Sequence, residues 1–454
     1  MTEEDHRPRF LILGAGPAGN SAATTAASLG ARVVLVEPAI VGGAAHLWDC
    51  IPSKTMVATS ARLEAVRHAG RLGLSTEGAG VDLDRLAERM AAITGNLQGG
   101  LLDLLASQGV QIIEGWGRFR DPHSVEVPSE GGPHGFTFDL ALIATGSSPR
   151  VPEWAEPDGE RILTTRQAYD LPELPEHLVI IGSGVTGVEF VHIFSSLGSR
   201  VTLLVSRQQV LPHRDAEVAA VLEEDFLERG VALLKGARAT AARRTDDRVV
   251  VETEDGRRVE ASHVLLAIGS VPMSEELGLD AAGVKTEHGY VVVDEYQRTT
   301  VPSIYAAGDV TGQMPLSSVA AMQGRKIARH ALGYPVKPLD YQKVSQAVFT
   351  EPEIASVGLE EAEAASEGRK VRITKVPFAA NPRALIQGNP RGFVKVISDP
   401  ATRVVLGGTV VGHHASELIS VMALAVQAQL RVDSLVETLM VHPSLSESLT
   451  DAAE

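Results

Sequence analysis

Apolar residues along the chain fall into a pattern that occurs twice. Phe10 to Leu13 is a short apolar run, followed by Gly14-Ala15-Gly16-Pro17-Ala18-Gly19 and then by alanine-rich residues that read as a helix as far as Gly30. Ala31 to Val36 is a second apolar run, and it ends at Glu37. Short apolar runs bounded by glycine predict buried strands, so the stretch reads as strand, turn, helix, strand. The same succession recurs at Leu178 to Ile181, Gly182-Ser183-Gly184-Val185-Thr186-Gly187, a helix, and the strand Arg200 to Val205. Two such units imply two nucleotides.

Between them, Leu86, Met90, Ile93, Leu97, Leu101 and Leu104 keep helical spacing and predict a long amphipathic helix with a structural role. Leu140 to Ala144 reads as a buried strand, and the loop-rich stretch Pro149 to Pro157 after it suits a crossing between domains. From about Pro335 the pattern changes to strands near Val344 to Phe349 and Gly392 to Ile397, then a helix from Ser416, with no third glycine fingerprint. The fold class expected is α/β, with two Rossmann-like nucleotide-binding units and a C-terminal α+β domain.

The glycine turns carry the first candidate chemistry. Gly14 permits a tight turn, Gly16 lets the backbone approach a pyrophosphate, and a helix N-terminus offers unpaired N–H groups and a positive dipole end. Glu37 lies where a carboxylate accepts the hydroxyls of an unphosphorylated ribose, although a solvated acid at a strand end has the same look. In the second unit Val205 stands where that acid would be, and Ser206-Arg207 follow. A hydroxyl and a guanidinium suit a 2′-phosphate, so NADPH becomes as plausible a donor as NADH; a solvent-facing arginine is the plain alternative.

Composition narrows the class. At 454 residues and 44% hydrophobic, the chain has room for about three domains with cores of their own. A net charge of -16 argues against a nucleic-acid or anionic-membrane partner. The polar, acidic start Met1-Thr-Glu-Glu-Asp-His-Arg-Pro is unlike a signal peptide, no apolar run approaches the roughly 18 residues of a membrane span, and a cytoplasmic protein is expected. Cys50 is the only cysteine, which excludes an intrachain disulfide. No metal-ligand spacing stands out; His413, His414 and His192 read as surface or packing residues.

Further motifs occur in one order: Gly42-Gly43, Cys50-Ile51-Pro52-Ser53-Lys54, Ala144-Thr145-Gly146, Ala306-Ala307-Gly308-Asp309 and His442-Pro443. With both fingerprints they make the chain resemble the flavoprotein disulfide reductases, from Phe10 to the end. The resemblance implies a glutathione-reductase-like arrangement: an FAD domain over residues 1–150 and 273–335, an NAD(P) domain over 151–272, and a dimerisation domain over 336–454. It also implies roles. Gly14, Gly16, Pro17, Ala18, Gly19, Glu37, Gly42, Gly43, Gly117, Ala144, Thr145, Gly146, Gly308, Asp309, Leu316 and Ser317 would hold FAD, with Asp309 on the ribityl chain and the helix after Leu316 at flavin N1 and O2. Gly182, Gly184, Val185, Thr186, Gly187, Ser206, Arg207 and Gly269 would take the nicotinamide nucleotide, Val185 standing where relatives often place a gate. Lys54 and Glu189 would be the ion pair beside flavin N5. His442, its imidazole oriented by Glu447, would exchange protons in the active site of the other subunit of a homodimer.

One departure redirects the function. The family pattern has two cysteines five residues apart, and here Ala45 replaces the first. The retained Cys50 matches the flavin-proximal thiol, unless it is simply a small buried hydrophobe. Without a redox disulfide, electrons from NAD(P)H pass through FAD directly to an acceptor. The motif set, with its altered Gly42-to-Cys50 loop, looks like the lipoamide-dehydrogenase-like branch of NAD(P)H:quinone reductases, which implies a quinone-like acceptor. A soluble transhydrogenase, a dihydrolipoamide-type dehydrogenase and a non-catalytic flavin-binding redox sensor stay open as alternatives.

Overall fold

The structure is a computed structural model, described for residues 6–76, 78–129 and 132–454. The acidic start, Met1 to Asp5, lies outside the described residues. The chain divides into two compact units: residues 1–53, 87–150 and 270–339, and residues 54–86, 151–269 and 340–454.

The first unit is built on a five-stranded parallel sheet in the order Ile304–Ala306, Leu140–Ile143, Arg9–Leu13, Arg32–Glu37, Gln111–Glu114. Side chains of a strand alternate between faces, and here both faces are covered, which is why its central strands read as continuous apolar runs. Phe10 and Ile12 enter a cluster with Ala22, Ala26, Leu35 and Ile327, whereas Leu11 and Leu13 enter another with Phe119, Val125 and Ile143. The alanines of helix Pro17–Ser28 allow a second helix, Ser317–Ala331, to pack very closely. At Gly324 of that helix a Cβ would fall 2.1 Å from the Ala18 carbonyl oxygen.

The second unit repeats four of these five strands in the same order, but its remaining edge strand precedes the others in the chain, whereas Ile304–Ala306 follows them. Its parallel sheet has the order Ile162–Thr164, His263–Leu266, His177–Ile181, Arg200–Val205, Ala232–Lys235. It also holds a five-stranded antiparallel sheet in the order Gln346–Val348, Glu353–Gly358, Val405–Gly412, Phe393–Ser398, Arg372–Pro377, covered by the helix Ala415–Gln427. This C-terminal sheet carries no glycine turn of the nucleotide-binding kind, as its sequence pattern predicts.

The long helix spans Leu83–Ser107, and its apolar stripe is only partly packed. Leu86 and Met90 are buried, but Leu97 and Leu104 are 42% and 43% exposed. Toward its end the inward face runs through Leu101 and Leu105 instead. Leu105 is about 100° around the helix from Leu104, so one residue decides which side chain meets the core.

Candidate active site

The two glycine turns have nearly the same geometry. In the first, Gly14 has φ +102, and a Cβ there would sit 2.3 Å from the Ala144 carbonyl oxygen; a Cβ on Gly19 would sit 1.8 Å from the Gly14 carbonyl oxygen. In the second, Gly182 has φ +115 with 2.2 Å to the Ala267 oxygen, and Gly187 has 1.9 Å to the Gly182 oxygen. Neither outer glycine of either turn tolerates a side chain. The middle glycines, Gly16 and Gly184, differ: a Cβ on either meets nothing within 4 Å. Each turn is therefore closed toward the protein and open on the side where a diphosphate would approach. Each also opens a helix of more than ten residues, Pro17–Ser28 and Val185–Leu197, whose N-cap glycine provides no capping side chain. Unpaired N–H groups and the helix dipole remain for an anion.

Around the first turn the structure assembles further sequence-predicted residues. Gly42 donates its N–H to the Ala15 carbonyl at 2.8 Å, and Gly43 folds back until its Cβ position is 2.9 Å from Gly16 Cα. Glu37 accepts the Ala15 N–H at 2.7 Å through one oxygen and the Ala39 N–H at 3.0 Å through the other. Burial pushes this carboxyl above its ordinary pKa, opposed by those backbone bonds. At Gly117 a Cβ would fall 2.5 Å from Leu13 Cδ2, so the end of that leucine would have to shift to admit a side chain.

The strand ending at Ile143 leads into Ala144-Thr145-Gly146. Thr145 Oγ1 donates to the Met273 carbonyl at 2.7 Å, and Gly146, at φ +74, accepts the Met273 N–H at 3.0 Å. Next in the chain, Ser147 donates its hydroxyl to Asp309 Oδ2 at 2.7 Å. Asp309 follows Gly308, whose N–H donates to the fully buried Gln323 at 2.7 Å. Neither Ser147 nor Gln323 was singled out by the sequence, although Ser147 directly follows the Ala-Thr-Gly turn. Leu316 caps the helix Ser317–Ala331 without a side-chain bond, and the Ser317 hydroxyl lies 3.0 Å from Cys50 Sγ. Cys50 itself ends the single helical turn Ala45–Asp49.

In the second unit Lys54 Nζ and Glu189 Oε2 form an ion pair at 2.7 Å, with Glu189 buried. The other Glu189 oxygen accepts the Phe349 N–H at 2.9 Å, and the Lys54 ammonium lies 4.9 Å from the Phe349 ring centroid. That contact to the C-terminal segment had no sequence signal. Val185 is 43% exposed at the start of its helix, Gly269 has φ +92 with open space beside it, and Ser206 and Arg207 are exposed just past the strand Arg200–Val205. Farther along, His442 Nδ1 lies 2.7 Å from Glu447 Oε1, and the other oxygen of Glu447 accepts the Ser444 N–H at 2.8 Å. The Ser444 N–H and then His442 hold Glu447 below its ordinary pKa. The carboxylate can accept only if Nδ1 carries the proton, which sets the tautomer of a neutral imidazole.

His192 and His413 are held by neighbouring side chains. His192 is fully buried, and burial followed by the nearby Arg229 guanidinium pushes its pKa down to about 3. His413 bonds to Glu351 at 3.2 Å, which raises its pKa against the effect of burial. Asp215, Glu217 and Glu361 converge closely enough to hold an ion, and the ion they hold is the Lys395 ammonium, at 2.5, 2.6 and 3.1 Å.

Two open glycine turns, each followed by its own helix, agree with comparison to known proteins. The family described as pyridine nucleotide-disulphide oxidoreductase matches residues 8–324, and its dimerisation domain matches residues 344–453. The chain belongs to this family. It is an oxidoreductase that uses FAD and NAD(P)H. Among individual relatives, the chain is 44% identical over 458 residues to an NAD(P)H dehydrogenase (quinone) of Mycobacterium tuberculosis, covering 98% of this chain and 93% of that one. It is 35% identical over 449 residues to a dihydrolipoyl dehydrogenase of Geobacillus stearothermophilus, covering 98% and 95%. The crystal structure of LpdA from Mycobacterium tuberculosis superposes with a TM-score of 0.94 at 44% identity, covering 98% of this chain and 99% of that one. The HOCl-induced flavoprotein disulfide reductase RclA of Escherichia coli gives 0.88 at 29%, with coverage of 98% and 99%. Within this oxidoreductase family, no helix among the described residues is long and apolar enough to cross a membrane.

Proposed function

We propose that this chain is a cytoplasmic NAD(P)H dehydrogenase that delivers electrons from its flavin directly to a quinone-type acceptor. The observation that carries the reading is at Cys50: its sulfur faces Ser317, and Ala45 occupies the position five residues earlier where a partner thiol would be needed. A dithiol relay needs two sulfurs. The name of the 44% identical relative, an NAD(P)H dehydrogenase (quinone), favours the same acceptor class.

Residues 1–150 and 273–335 would form the FAD domain, 151–272 the NAD(P) domain and 336–454 the dimer interface. The residues present fit FAD, because the open side of Gly16, the uncapped helix behind it and the Asp309 carboxylate supply complementary contacts for pyrophosphate and ribityl groups. Bound FAD supplies the two-electron carrier between nicotinamide and acceptor. Gly182, Gly184, Thr186 and Gly187 shape the pocket for the donor's diphosphate, with Ser206 and Arg207 beside its ribose. Val185 leaves a small lid over the nicotinamide side. Lys54 keeps a positive charge at the hydride-transfer locus, and Glu189, held by Phe349, fixes where that charge points. In a homodimer, His442 of one subunit would complete the site of the other, with Glu447 orienting the imidazole so that Nε2 donates a proton to a quinone oxygen as negative charge builds there.

Stopped-flow mixing of the NADPH-reduced holoenzyme with para-quinones, lipoamide, an NAD⁺ analogue and dioxygen tests the acceptor. Quinones should restore the flavin absorbance fastest. Faster reoxidation by the nicotinamide analogue would replace the reading with transhydrogenase, and faster reoxidation by lipoamide would replace it with a disulfide reductase.

A further inference from the structure

The loop that follows the second nucleotide-type strand is anchored far more heavily than a surface loop requires. It runs from Ser206 to Asp215, beginning with the two exposed residues beside the proposed nucleotide site and ending at the N-terminus of the helix Ala216–Glu228. Along it, the Val210 N–H donates to Glu223 at 2.9 Å. The Leu211 N–H donates to the carbonyl of Ser183, inside the glycine turn itself, at 2.8 Å. Leu211 makes that bond at φ +47, a conformation a leucine keeps only where its surroundings impose it.

Arg214 imposes it. Its backbone N–H donates to the Leu211 carbonyl at 2.9 Å, and its carbonyl accepts from Gln209 Nε2 at 3.0 Å. The guanidinium, 14% exposed, reaches the C-terminal antiparallel sheet, where it donates to Ser356 Oγ at 2.6 Å and to Gln346 Oε1 at 3.0 Å, and it donates also to Glu360, at the start of the helix Glu361–Ser366. Asp215 reinforces the anchor. As the residue before a helix its side chain would ordinarily cap that helix, but it makes no such bond. It spends its oxygens on the buried Lys395 ammonium, at 2.5 Å, and on the Ala362 N–H, at 2.9 Å.

We propose that Arg214 is a positioning residue for nucleotide choice: by fixing residues 206–215 to the C-terminal sheet, it holds Ser206 and Arg207 where they read the ribose 2′-substituent. The inference rests on the reading of residues 182–187 as the NAD(P)H site. The glycine turn is held by its own sheet, with the Gly182 N–H on the Leu204 carbonyl at 3.3 Å, and the loop adds only the Leu211 bond to Ser183, so loosening the loop weakens the hold on a diphosphate shared by both nucleotides less than the hold on a group bound by the loop itself. A 2′-phosphate engages only the loop, and its apparent affinity falls with the fraction of molecules whose loop is in place. A planar fork with two acceptors on adjacent strands of the sheet and a third just beyond its strand Glu353–Gly358 suits this task, and a lysine at the same position could not span them.

Equilibrium binding of two redox-inert ligands to the FAD-loaded protein, 2′-phospho-ADP-ribose and ADP-ribose, tests the proposal. Arg214→Ala should raise the Kd of the phosphorylated ligand about tenfold and that of ADP-ribose less than about twofold, because only the first needs the loop. Glu360→Gln, which leaves Arg214 in place and removes its charged partner, should move the same ratio in the same direction, and it decides the matter if Arg214→Ala does not fold. A lowered Tm with both Kd values unchanged would overturn the proposal and leave Arg214 a structural anchor. An equal rise in both would overturn it too, since the loop would then serve the whole nucleotide. Wild-type protein that binds neither ligand, or binds both equally, removes the nucleotide reading or the 2′-phosphate reading and this proposal with it, and is seen before any variant is made.

Discussion

Cys50 Sγ lies 3.0 Å from the Ser317 hydroxyl, so the chain's single thiol faces the N-terminus of the helix Ser317–Ala331. In a family built around two neighbouring cysteines, a single cysteine cannot store an electron pair as an intrachain disulfide.

Gly16 and Gly19 should separate binding from folding. A valine at Gly16 projects into open space and should leave the Tm of the flavin-free protein nearly unchanged while lowering flavin content at least about tenfold, because it fills the approach of the pyrophosphate. Gly19→Val instead meets backbone at 1.8 Å and should abolish folding. Flavin absorbance per protein and circular dichroism check both; a flavin-loaded Gly16→Val protein would contradict the assignment.

Arg207→Ala should raise the KM for NADPH about tenfold and change that for NADH little, the loss expected for one charge-assisted contact to a phosphate. Steady-state kinetics with both donors decide it, and equal changes would show that Arg207 does not read the phosphate.

These two tests mark how far the sequence reaches. The turns were legible because glycine at 14 and 19, and again at 182 and 187, is dictated by local backbone geometry, while the middle glycines 16 and 184 complete a spacing that leaves room for a ligand. Lys54 with Glu189, and His442 with Glu447, were legible only through motif order, since nothing local says that residues 135 apart in the chain will meet at 2.7 Å. Phe349 beneath Lys54, Ser147 on Asp309, Gln323 on Gly308 and the Arg214 anchor were not legible. Each depends on how separate elements pack, and a phenylalanine, serine, glutamine or arginine carries no mark of its partner. The exposed Leu97 and Leu104 show the same limit, because periodicity finds a helix face but not the extent of what covers it.

His413 gives the stability a pH dependence. Its pKa is raised in the folded protein by Glu351, so its contribution is complete below the ordinary value of 6.5 and is lost as the pH rises through the raised value. The Tm of wild type should exceed that of His413→Gln at pH 6 and converge with it in mildly alkaline buffer. A difference that persists unchanged at high pH would assign the effect to packing.

His442→Ala should slow reoxidation by quinone roughly a hundredfold, the usual scale for loss of a general acid, and leave flavin reduction by NADPH within about twofold. Glu447→Gln should have a smaller effect of the same kind, since it keeps a hydrogen-bond acceptor for Nδ1 and loses the charge. Separate measurement of the two half-reactions checks this, and equal losses in both would point to damaged assembly.

Anaerobic reductive titration of the holoenzyme tests the central claim most directly. With Cys50 alone, flavin absorbance should bleach completely with one two-electron equivalent of dithionite per FAD, without a lag and without a further equivalent taken up before or after. Uptake of a second two-electron equivalent per FAD would reveal another redox centre and contradict direct transfer from flavin to acceptor.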